Sequence, residues 1–281
     1  MMTLPLPDAC SLQIVDDVVA ERVGGVNEAF FAALAAEWRQ RVEVYLAHGG
    51  SPEHVPTWPH IADNKARRTS FHTLYGSPKD GSAQGLVLDD LRDHGLDLCP
   101  ACGEKGVPNT LDHYLPKRAY PEFAITPANL FPMCDACQGA KGEKTGDAIT
   151  PRYFVHPYFD TFSRPQIIRL TLGGPVETPT FVLAPHPDLQ AAERVLVGTH
   201  LRELHVEERY ITFFRNEHRR LLRSVARMRN SGQEVVTTLQ GFAFKAADPT
   251  PNAWEHVFYD GVLSHGAFLN YLTDGELAPL P

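Results

Sequence analysis

Four cysteines in two matched pairs, Cys99-x2-Cys102 and Cys134-x2-Cys137, carry the densest ligand chemistry in the chain. In each pair a short turn aims two sulfurs at one point, and two such turns complete a thiolate tetrahedron around a zinc ion. Four protein ligands leave no open position for water, so the spacing implies a structural site that staples a small module. Between the pairs lie Asp112-His113 and Asn129. A carboxylate suits a hard divalent ion such as Mg2+ or Mn2+. A histidine beside it, left unmetallated, can take a proton from water near neutral pH. A carboxamide such as that of Asn129 can orient such a base. By itself the dipeptide Asp-His is common and carries little information. Lys117 and Arg118 follow the pair, and Lys141 and Lys144 stand one turn apart after the second knuckle. All four are candidates for contacts with phosphate.

These residues need elements to position them. The apolar residues around Asp112-His113 suggest a strand or hairpin. Adjacent side chains of a regular strand face opposite sides, so only a bulge or a strand end brings both to one site. The second knuckle opens a short helix. Before the knuckles, Asn27 reads as a helix N-cap, and Phe31, Leu34, Trp38, Val42 and Tyr45 recur at helical steps until Gly49-Gly50 stops the run. Residues 51–85 are rich in Pro, Gly and Ser, and the basic segment 64–68 reads as solvated surface. A short helix or turn over 87–96 leads into the first knuckle. Beyond the core, 167–172 and 180–183 read as paired strands around Gly173-Gly174-Pro175. A long helix spans about 207–229, with an apolar stripe through Ile211, Phe214, His218, Leu221, Val225 and Met228. Its many arginines read either as a solvated face or as a contact for nucleic acid or an acidic partner. A final helix is expected over 254–272.

Composition bounds the reading. The chain has 281 residues, five cysteines and a formal net charge of −8. That balance excludes a surface that is basic throughout, so any nucleic-acid contact must be local. Cys10 alone is left outside the knuckles, which argues against a disulfide framework and for a reducing compartment. No signal peptide and no membrane span is visible, so a cytoplasmic location is the expectation.

Asp-His, then Asn129-Leu130, then a C-x2-C knuckle opening a helix resembles the HNH endonuclease family in its zinc-knuckle form. The residues from Leu111 to Lys117, Tyr120-Pro121-Glu122-Phe123 and the later His156-Pro157-Tyr158-Phe159-Asp160 are similar to a bacterial branch of it. The resemblance covers residues 99–144 and implies a ββα-metal module. It implies Asp112 as a ligand of a catalytic Mg2+ or Mn2+, His113 as the general base, and Asn129 as the residue holding the loop. The family usually has His or Asn after the last knuckle cysteine, and here Gln138 stands there. Gln138 either serves as a longer ligand or marks a lost site, with His156 as a substitute ligand. The resemblance also implies cleavage of nucleic acid, DNA before RNA, and an anti-phage defence effector acting beside a partner ATPase. The rival expectation is a catalytically inactive zinc protein that binds nucleic acid or scaffolds a complex.

The combined expectation is an α+β protein in three regions. These are a helical region over 1–95, the zinc-stapled module over 96–162, and a mainly helical region with a short hairpin over 163–281.

Overall fold

The computed structural model describes residues 1–277. The chain is α+β, with helices throughout and two separate two-stranded antiparallel sheets among the described residues. It divides into two compact units. Among the described residues, one contains 3–100 and 106–161, and the other contains 1–2, 101–105 and 162–277.

The unit of residues 3–100 and 106–161 begins with five helices: α1 (Gln13–Glu21), α2 (Glu28–Ala47), α3 (Pro59–Ala62), α4 (Lys65–Gly76) and α5 (Ala83–Arg92). The hairpin β1 (Thr110–His113) and β2 (Leu130–Met133) follows, then α6 (Asp135–Lys141). The expected amphipathic helix forms as α2 and buries Phe31, Trp38, Val42 and Tyr45. Phe71 of α4 meets the edges of Phe31 and Trp38, at ring separations of 5.5 and 5.0 Å.

The stretch 51–85 is more ordered than its composition suggests. Pro59 opens α3, where a missing N–H costs nothing. The side chains of Asn64 and Ser82 accept from the backbone N–H groups of Arg67 and Gly85 and so cap α4 and α5. The basic segment is therefore the first turn of a helix.

No packing boundary separates the expected regions 1–95 and 96–162, because the helices reach into the loop between the two strands. Trp38 Nε1 donates to Glu122 O at 2.7 Å, Tyr45 Oη to Ala128 O at 3.2 Å and Tyr75 Oη to Leu111 O at 2.8 Å. Leu88 of α5 packs with Leu111 and Leu130 from the two strands. Fully buried Glu122 meets Arg41 of α2 at 2.7 Å through Nε, which ties the same loop to the helices.

The second unit holds the hairpin β3 (Ile168–Gly173) and β4 (Thr180–Pro185). Five helices follow: α7 (Ala191–Glu203), α8 (Val206–Asn230), α9 (Val235–Ala246), α10 (Trp254–Leu263) and α11 (Gly266–Asp274). Along β3, Ile168, Leu170 and Leu172 are buried and the residues between them exposed, the period-two pattern of a half-buried strand. A Cβ on Gly261 of α10 would lie 2.8 Å from Leu170, so this contact requires glycine. α8 buries Tyr210, Phe214, Leu221, Leu222, Val225 and Met228.

The helix expected over 254–272 is two helices. α10 ends at Leu263, and His265 Nδ1 accepts from Phe268 N to cap α11. Among the described residues no helix is long and apolar enough to cross a membrane.

Candidate functional site

Cys99, Cys102, Cys134 and Cys137 come together, with all four sulfurs within 4.8 Å of one another. Three of the cysteines are buried and Cys134 is partly so, while Cys10 is exposed. Four soft donors in a shielded cluster are a set that can hold a structural metal such as zinc.

The surroundings suit anionic sulfur. Cys134 N donates to Cys99 Sγ at 3.4 Å, and Arg209 Nη1 lies 3.8 Å from Cys102 Sγ. Both would offset the charge that four thiolates on one ion would concentrate there. The first knuckle's backbone is fixed as well. Trp254 Nε1 donates to Cys102 O at 2.7 Å, and His200 Nε2 meets Ala101 O at 2.7 Å. Gly103 has φ +80°, and a Cβ there would come within 2.2 Å of Asn252 O, so only glycine serves.

The residues between the knuckles are built on the first hairpin. β1 pairs with β2 without a bulge, Asp112 opposite Phe131 and His113 opposite Leu130, and it ends at His113. The two side chains leave with different partners. His113 Nε2 meets Ala124 O at 2.9 Å. A carbonyl only accepts, so this nitrogen carries the proton and Nδ1 keeps its lone pair. Nδ1 makes no hydrogen bond with the described residues.

The His113 ring lies against Tyr75, with centroids 4.4 Å apart, and the Lys117 ammonium sits 4.6 Å from the centroid of the Tyr75 ring. Burial, with the charges of Lys117 and Lys141 acting in the same sense, pushes the His113 pKa down to about 3. In a proton NMR titration the His113 ring resonances should therefore stay put from pH 8 to pH 5. A titration near 6.5 would contradict this environment.

Asn129 is fully buried, and its carboxamide is spent on the loop between the strands. It accepts from Leu115 N at 2.8 Å and donates to Leu115 O and Phe123 O, both at 3.1 Å. Phe123 adjoins Ala124, whose carbonyl holds His113. Asn129 thus fixes the segment that fixes the imidazole.

Asp112 is buried, and desolvation raises its pKa against the opposing charge of Lys141. Lys141 Nζ lies 3.0 Å from Asp112 Oδ2 and donates to His113 O at 2.6 Å. Gln138, one turn earlier on α6, has its carboxamide close enough to the Asp112 carboxylate to oppose that rise. Carboxylate and carboxamide thus meet where β1 faces α6. Both can offer oxygen, the donor type that a hard divalent ion takes, and the Lys141 ammonium is the cation that meets the carboxylate here.

Two expected roles do not match the placement of their residues. Lys141 is 1% exposed, so its ammonium serves Asp112 and the His113 carbonyl rather than external phosphate. His156 is fully buried with both ring nitrogens engaged. Its Nδ1 accepts from Tyr158 N at 3.1 Å, and its Nε2 lies 3.0 Å from Tyr45 Oη. No lone pair is left for a metal. Lys117 is half-buried against Tyr75. Arg118 is largely exposed and pairs with Glu143 at 3.3 Å. Lys144 lies just past α6, its backbone N–H bonded to Lys141 O.

Tyr75, which packs on the imidazole, and Arg41 escaped the sequence reading, and Glu122 entered it only within the resembling segment, without a role. Helical spacing in 65–76 held a signal for Tyr75, one residue after buried Leu74. Nothing local marks Glu122 as a buried partner of Arg41.

Comparison with known proteins adds one relative. Over 154 residues the chain is 31% identical to Protein ea31 of Escherichia phage lambda, covering 53% of this chain and 50% of that protein. The chain thus spans about half the length of the curated relative it matches. No protein-family profile and no solved structure matches it.

Proposed function

We propose that this protein is a metal-dependent endonuclease of the HNH type, hydrolysing phosphodiester bonds of nucleic acid, with DNA as the leading substrate. One observation carries the reading. A neutral imidazole stands at the end of β1, its Nε2–H is spent on a backbone carbonyl, and its Nδ1 lone pair is uncommitted. That is the protonation state a general base needs.

In this mechanism His113 Nδ1 takes a proton from water, and the water oxygen bonds to phosphorus. The bond to the 3′ oxygen breaks, and that oxygen leaves with a proton from solvent. The products carry 5′-phosphate and 3′-hydroxyl ends. A free imidazole with a pKa near 3 is a weak base. A docked phosphodiester opposes Lys117 and Lys141 with negative charge and so raises its proton affinity. Asn129 positions the imidazole through the loop it pins. Asp112 and Gln138 would hold the divalent ion, which when bound supplies charge stabilisation at the phosphate. The four cysteines hold a structural zinc. The family resemblance supports a role in anti-phage defence, beside a partner ATPase.

The test is cleavage of supercoiled plasmid and single-stranded circular DNA in Mg2+ or Mn2+. His113→Ala should cut about 10²- to 10⁴-fold more slowly, the usual contribution of a general base. Equal rates in both proteins would exclude His113 as the base. A second reading, a non-catalytic nucleic-acid-binding or scaffold protein, draws on the ammonium of Lys141 against Asp112. It prevails if neither protein cuts, alone or with the product of the adjacent gene.

A further inference from the structure

α8 carries seven arginines, and the structure gives three of them a structural task. Arg209 pairs with Glu104. Arg220 pairs with Glu217 at 3.3 Å. Arg229 donates to the last carbonyls around α11, including Gly275 O at 2.7 Å and Tyr271 O at 2.6 Å. The remaining four are Arg215, Arg219, Arg223 and Arg227. All four are exposed, and none meets a carboxylate among the described residues.

Their spacing of four residues makes one gently spiralling row, with a rise of about 6 Å per step and about 18 Å in all. Four like charges in a row repel each other and gain nothing for the fold. The first two also line a groove of about 540 Å³ between α8 and the β3–β4 hairpin. Its walls include Phe181, Ile211, Phe214 and His218, and they are mainly apolar. The rings of Phe214 and His218 are parallel within 3°, with centroids 6.1 Å apart. His218 Nε2 is shielded from solvent and has no hydrogen-bond partner among the described residues. Glu177 and Glu207 also line the groove, and Glu207 lies in the first turn of α8, two turns before Arg215.

We propose that this face of α8 is a binding site for single-stranded nucleic acid, with the arginine row on successive phosphates and an unpaired base in the aromatic groove. The row matches a chain of evenly spaced anions, and the helical step is comparable to that between phosphates of an extended strand. A flat aromatic ring suits a groove with aromatic walls. A duplex keeps its bases paired and would leave the groove unused. The site lies wholly in the second unit and stands apart from the proposed hydrolysis, so each can fail without the other.

The probe is fluorescently labelled (dT)20, titrated with the full chain without added divalent ion and read by anisotropy. With four phosphates neutralised, affinity should fall about 50-fold between 50 and 200 mM salt. Arg219→Ala/Arg223→Ala changes only exposed side chains and should reduce that fall to about 7-fold. An abasic oligomer of equal length should bind at least about fivefold more weakly, since stacking one base contributes about 1–3 kcal/mol. Absence of (dT)20 binding, or a salt dependence unchanged in the double variant, would overturn the proposal. So would polyglutamate binding as tightly as (dT)20, which would mark a surface for acidic peptides instead.

Discussion

Purified under reducing conditions, the protein should carry one zinc ion per chain, and Cys137→Ser should lose both the ion and much of the local fold. The elements around the cluster are too small to hold themselves. β1 and β2 have four residues each, and α6 has seven. An isolated two-stranded hairpin is marginal in water, and a helix of two turns pays its nucleation cost with little return. Cys134 and Cys137 bracket the first turn of α6, and Cys134 N also donates to Cys99 Sγ. A metal there closes the chain between residues 99 and 137 at a single point. Binding energy for such an ion is folding energy, on the order of 10 kcal/mol in small zinc modules. Here the helices share the load, so a loss of several kcal/mol is expected, with melting of the hairpin end first. Metal content by mass spectrometry and thermal unfolding check this, with Cys10→Ser as the variant that should change neither. A protein purified without zinc, and equally stable after Cys137→Ser, would rule out a metal staple.

Why this cluster was readable from sequence, while other parts of the site were not, is a matter of range. Two turns of four residues each carry their geometry locally, so the cysteine spacing alone implies convergence. Helix signals in the 51–85 stretch were local too: Pro59 at a first turn, Asn64 and Ser82 at caps. There the overall Pro and Gly content masked them.

The misplaced roles depend on residues far apart in the chain. Lys141 looks like any helix-surface lysine until α6 docks on β1 and buries it over Asp112. His156 loses its ligand capacity to Tyr45, a residue 111 positions away. Trp38 and Tyr45 were legible as core residues from their helical spacing. That their polar tips hold the carbonyls of Glu122 and Ala128 was not, because those carbonyls arrive through the loop between two strands. Amphipathic patterns report which face turns inward and say nothing of what a buried hydroxyl or indole meets there.

Lys141→Met should destabilise the protein by about 3–5 kcal/mol at pH 7.5, the usual cost of removing one partner of a buried ion pair. The ammonium is 1% exposed and lies 3.0 Å from Asp112 Oδ2, so in its absence a buried carboxylate keeps its charge without a counterion. Asp112→Asn/Lys141→Met removes both charges and should recover much of the loss, because the two positions share one interaction and their effects do not add.

The pH dependence has a definite sign. Asp112 already has a pKa raised above 3.8 in the folded chain, and losing Lys141 raises it further. The folded variant then binds a proton that the unfolded chain gives up, so its stability falls as pH rises above the ordinary aspartate value. The deficit against wild type should accordingly shrink in urea melts from pH 7.5 to pH 5. A divalent ion can replace the missing positive charge, so millimolar Mg2+ should stabilise Lys141→Met more than wild type. If instead Lys141→Met unfolds at the wild-type urea concentration at pH 7.5, the ammonium does not compensate Asp112. A variant that is destabilised but indifferent to Mg2+ would mean that Asp112 is committed to structure, which favours the scaffold reading over the nuclease.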